Sequence, residues 1–106
     1  MLTTDRTKLM GSRRRTEVLI LVALLDETYP TELGRLLKAP LYSIQKVVDA
    51  LDREGVLATR RIGSERRVAL NPRYFAGKEL RALLLRLAES EPGLNEAAAT
   101  LRRRPR

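Results

Sequence analysis

Neither cysteine nor histidine occurs anywhere in the 106 residues. Their absence excludes disulfide frameworks, thiol nucleophiles, imidazole bases and the common zinc ligands in one step. No glycine-rich phosphate loop is present, and the acid pair Asp26-Glu27 falls at a helix end, where capping and solvation account for it. Catalysis, a bound metal and a cofactor are therefore not expected. No stretch reaches the roughly 20 consecutive apolar residues of a membrane-spanning helix, and no charged-then-apolar signal segment opens the chain. The expectation is a cytoplasmic protein with no membrane contact. Internal repeats are missing too, and low complexity is confined to the arginine-rich ends.

What remains is enough for one modest core, since 43% of the residues are hydrophobic in a chain of single-domain length. The net charge of +8 is concentrated at the ends. Residues 1–15 carry five basic residues and one acid, residues 101–106 carry four arginines, and the stretch between holds twelve of each sign. Such a distribution suits charge placed for a polyanionic partner. The runs Arg13 to Arg15 and Arg102 to Arg104 read either as solubilising tails or as phosphate contacts.

Periodicity and punctuation organise the chain. Residues 1–12 read as a flexible arm, with Ser12 placed to cap a helix. A helix over 13–27 is apolar on nearly every side from Val18 to Leu25, so it must be covered all round. Pro30 suits the first turn of a short second helix bearing Leu33, Leu36 and Leu37. A third helix is predicted over 40–54, stopped by Gly55. Two β-branched runs, 56–62 and 66–70, flank a three-residue loop, Gly63-Ser64-Glu65, and read as a β-hairpin. A fourth helix over 75–89 and a fifth from Pro92, carrying Leu94, Ala97, Ala98 and Leu101, complete the chain.

The third helix divides into two faces at about 100° per residue. Leu41, Ile44, Val47, Val48 and Leu51 form one stripe, assigned to the core. Tyr42, Lys46, Asp49 and Arg53 lie opposite, flanked by Ser43, Gln45 and Ala50. Gln pairs with adenine, Lys reaches guanine or a phosphate, Ser bonds either, and Tyr packs on a thymine methyl or bonds a phosphate. These are the side chains of a major-groove reader, although Asp49, Asp52 and Glu54 would repel phosphates. The hairpin adds Arg60, Arg61, Ser64, Arg66 and Arg67 around a tight turn with the single acid Glu65. Crowded arginines repel one another unless a polyanion faces them.

At this point the residues are similar to a known family. Glu32-Leu33 opening a short helix, Ile44, Val47, Val48 and Leu51 on the next, then Arg53-Glu54-Gly55-Val56-Leu57, Arg60-Arg61, Gly63 and Leu70-Asn71-Pro72 resemble the ArsR/MarR-type winged helix regulators of prokaryotes. The resemblance implies a mainly α protein with a small β-hairpin, a winged helix-turn-helix of order α-α-α-β-β-α-α. It further implies a sequence-specific regulator of transcription, a repressor, that binds double-stranded DNA near the nucleoid. Carried over by position, Tyr42, Ser43, Gln45, Lys46 and Asp49 would sit in the major groove, and Arg60, Arg61, Ser64, Arg66 and Arg67 on the wing. A homodimer would form through the first and C-terminal helices, at Leu19, Ile20, Ala23, Leu24, Leu84, Leu87, Leu94 and Leu101. The DNA-binding domain would span 13–90, with 91–106 a C-terminal helix and basic tail. Metal-sensing relatives use cysteine or histidine, which this chain lacks. The competing reading is a winged helix that serves protein interaction or assembly without specific DNA binding.

Overall fold

The computed structural model describes residues 8–102, with the side chain of Arg102 left aside. Of the expected flexible arm, residues 1–7 lie outside the described residues, as do residues 103–106 of the basic tail. The elements run α1 (Arg13–Leu25), β1 (Glu27–Thr28), α2 (Pro30–Leu37), α3 (Leu41–Arg53), β2 (Leu57–Ile62), β3 (Glu65–Leu70), α4 (Gly77–Ala88) and α5 (Pro92–Arg102).

Helix α1 starts where the Ser12 hydroxyl accepts a hydrogen bond from the Arg15 N–H at 3.2 Å. That bond satisfies one of the donors a helix start leaves unpaired. Arg13 and Arg14 both reach Glu17, at 3.5 and 3.1 Å, so the basic run belongs to the first turns of α1 and not to a loose tail. The apolar run from Val18 to Ala23 is fully buried. Helices α2, α3, α4 and α5 together with β3 surround α1, which explains why no side of it is polar. Each fully buried leucine or isoleucine there stabilises the fold by roughly 1.5–3 kcal/mol.

The residues expected at a subunit interface pack within this chain. Leu19, Ile20, Ala23, Leu84 and Leu87 are core residues of a single chain. Leu24, Leu94 and Leu101 are half-buried and packed against the same core. Helix α5 joins that core through Ala98.

Pro30 is the first residue of α2. Between α2 and α3 the turn doubles back so tightly that a Cβ on Gly34 would stand 3.2 Å from the Ala39 carbonyl oxygen. Helix α3 ends as its sequence directs. Gly55, with φ of 78°, donates its N–H to the Asp52 carbonyl, and the Val56 N–H bonds the Leu51 carbonyl, both at 3.0 Å. These paired bonds are the glycine-closed helix end in which the left-handed residue satisfies the last carbonyls.

The sheet has three antiparallel strands in the order β1-β3-β2. Strand β1, which carries no legible period, pairs Glu27 with Ala69 and Thr28 with Val68. In the hairpin Ile62 faces Glu65, so the turn is two residues, Gly63 and Ser64, and not the three predicted. Gly63 has φ of 62°, as a type II′ turn requires at its first central position. Among the described residues no helix is long and apolar enough to cross a membrane.

Candidate nucleic-acid interface

Strand parity divides the wing. Successive side chains of a strand point to opposite faces, and the register pairs Arg61 with Arg66 and Arg60 with Arg67. Arg61 and Arg66 thus share the sheet face that carries Thr59, which donates its hydroxyl to Asp52 of α3 at 2.9 Å. Arg66 follows the same route. Its guanidinium lies 2.7 Å from Asp49 and 3.6 Å from Asp52, tying the wing to α3. Arg60 and Arg67 take the other face, where Glu27 of β1 reaches them at 3.3 and 3.9 Å. Arg67 also meets Glu65 at 3.1 Å and lies over the Tyr29 ring, 5.6 Å from its centroid.

Asp49 and Asp52, the acids that weaken a phosphate-binding reading, therefore share a wing arginine, which offsets one of their two charges. Sequence inspection assigns Asp49 to base reading, whereas the structure places it against Arg66. No such pairing is legible in the chain alone, because the partners come from different elements. Arg61 and Lys46 have no carboxylate partner among the described residues. Lys46 instead lies 5.6 Å from the Tyr42 ring centroid.

Between the wing and the start of α3 lies a cleft of about 400 Å³ lined by Tyr29, Pro30, Thr31, Leu41, Gln45, Arg61, Ser64, Glu65 and Arg66. The first turns of α2 and α3 form one wall, and the hairpin tip forms the other. On α3 itself Tyr42, Gln45 and Lys46 are exposed, Ser43 and Asp49 half-buried. Arg60, Arg61 and Ser64 are exposed on the wing, Arg66 and Arg67 half-buried. Leu41, assigned to the buried stripe by periodicity, is 41% exposed and faces the cleft. It stands at the first turn, ahead of the core that Ile44, Val48 and Leu51 fill, so helical phase alone does not bury it.

The far end of α3 is held by Arg15 of α1, whose guanidinium donates to both Glu54 oxygens at 3.0 and 2.6 Å. Hydrogen bonding to Arg15 holds the Glu54 carboxyl below the usual carboxylate range and raises the Arg15 guanidinium above its ordinary value. Among the described residues no group of three or more Asp or Glu side chains could hold a metal ion.

No protein-family model and no curated protein matches the sequence. Solved structures do superpose on most of it. The adhesin competence repressor of Streptococcus pyogenes matches with a TM-score of 0.61 and 14% identity, over 92% of this chain and 73% of its own. A MarR family transcriptional regulator of Silicibacter pomeroyi matches with a TM-score of 0.58 and 22% identity, over 87% of this chain and 63% of its own. The fold is a winged helix, shared with both of these structures. The chain is the shorter partner in both pairs and spans less than two thirds of the second structure. In this winged helix α2 and α3 form the helix-turn-helix, β2 and β3 the wing, and β1 the third strand that anchors it.

Proposed function

We propose that this winged helix is a sequence-specific, double-stranded DNA-binding regulator of transcription, a repressor with no catalytic role, working near the nucleoid in a prokaryotic cytoplasm. One observation carries the reading: the start of α3, through Leu41 and Gln45, and the hairpin tip line a single cleft, so one duplex can touch both. The N-terminal half of α3 enters the major groove, with Tyr42, Ser43, Gln45 and Lys46 toward the bases. Arg61 and Ser64 contact the phosphates beside it, where flexible cations and hydroxyls bind without reading sequence. Arg66 holds the wing in place through Asp49 and Asp52. Arg60 and Arg67 lie on the outer face of the wing, paired with Glu27 and Glu65. Support for the regulatory role comes from the fold shared with an adhesin competence repressor and a transcriptional regulator.

The working unit in this reading is a homodimer on a palindromic operator, with half-sites about 34 Å apart. Helix α4 offers a second copy Leu83 and, just before its start, Phe75, which is 92% exposed. Phe75 also favours the competing reading, in which the module docks on another protein. Salt separates them. Binding to random duplex should fall with a log-log slope of several units, each neutralised phosphate contributing about 0.9. Selection from a random duplex pool should then return a palindrome. A flat salt response and an unenriched pool would leave the protein-docking reading in its place.

A further inference from the structure

We infer that Leu41 reads DNA directly, packing on the C5-methyl of a thymine and giving the site a preference for an A·T-containing step beside the base that Gln45 contacts. The inference rests on α3 being the reading helix and adds what that helix selects. Leu41 is the first residue of α3, 41% exposed, and lines the cleft together with Gln45 and Arg61. Its neighbour Tyr42 is 71% exposed. Leu41 thus shares the cleft with Arg61, a cation with no carboxylate partner among the described residues, and nothing in the fold requires a leucine there. The first turn of a helix is better served by an acidic residue, which complements the helix dipole.

The chemistry of the opposing surface then decides what an apolar side chain can meet. Base edges in the major groove present hydrogen-bond donors and acceptors, and one apolar group, the thymine methyl. Positions i and i+4 of a helix stand about 5–6 Å apart on one face, while base pairs rise about 3.4 Å. Leu41 and Gln45 therefore span one to two base steps. Gln45 offers a bidentate pair to adenine, and Leu41 covers a thymine beside it.

Exchange of thymine for deoxyuridine removes that methyl and nothing else. Duplexes recovered from the random pool with the full chain are remade with deoxyuridine at each thymine in turn, and Kd is measured for the parent and for Leu41→Ala. One or two exchanges should weaken the parent about four-fold each, the effect of about one buried methylene. Leu41→Ala should bind the thymine duplex as the parent binds the deoxyuridine one, and be indifferent to the exchange. A parent that binds its selected duplex yet ignores deoxyuridine at every thymine overturns the inference while leaving DNA binding intact, as does a variant that keeps full sensitivity. A pool with no enriched duplex removes the reading of α3 and this inference with it. The comparison on the parent protein needs no substitution, so the result does not depend on how Leu41→Ala folds.

Discussion

The four wing arginines look alike in the sequence but have different partners in the fold. Arg66 is clasped by Asp49 and Asp52, and Arg67 by Glu27, Glu65 and the Tyr29 ring, whereas Arg61 is exposed with no acid beside it. A phosphate must displace those acids from Arg66 or Arg67 but finds Arg61 free. Arg61→Ala should therefore weaken binding to every duplex by a similar factor and lower the log-log salt slope by about 0.9, as the loss of one phosphate contact requires. Arg67→Ala should leave that slope nearly unchanged in the same titration. Gln45→Ala should act differently, relaxing discrimination at an A·T pair by about 1–3 kcal/mol with the salt slope retained. Comparison of matched and mismatched duplexes measures it. The positive charge of the wing was legible from residues 60–67, but its division was not, because Asp49, Asp52 and Glu27 are brought to it from α3 and β1.

Elements were most legible where proline and glycine punctuate the chain. Pro30, Gly55 and Pro92 mark a start, a stop and a start, each from a local backbone restriction that the rest of the fold does not alter. Strand β1 is not legible in the sequence, since two residues show no alternation and exist as a strand only by pairing with β3. The hairpin loop is two residues and not three because Glu65, a residue type depleted in strands, pairs with Ile62 and extends the ladder. Gly55→Ala places a Cβ at a φ of 78° in otherwise open space, so backbone strain is the only penalty. It should destabilise the protein by about 1–2 kcal/mol in urea unfolding. The Arg15–Glu54 bridge, which ties α1 to the end of α3, makes a pH-dependent contribution. Because the folded carboxyl is held below its unfolded value, its stabilisation is present above the ordinary carboxylate range and fades as pH falls through the folded value. Glu54→Gln should melt slightly below the parent at pH 7, with the gap closing in acid. A gap that persists at acidic pH would assign the loss to packing.

At the scale of the whole molecule, α1 is the mast around which the other helices and β3 are set. Its uninterrupted apolar run announced a helix covered on every side, and that much was legible. What covers it was not, because hydrophobicity records the need for burial without recording whether the covering atoms belong to the same chain or another. Here they belong to α2, α3, α4, α5 and β3 of one chain, and the distinction can be measured. Leu19→Ala should lower unfolding stability by about 2–5 kcal/mol through lost burial and the cavity left behind. A core residue imposes that loss on each chain alone, so the difference from the parent should stay constant across a wide dilution series. Were Leu19 instead buried by a second copy, the difference would shrink on dilution as the parent lost the same contact by mass action. Denaturant midpoints for parent and variant at matched concentrations decide between the two. A constant difference leaves α1 to hold the reading head together, and leaves any partner copy to the outer face of α4.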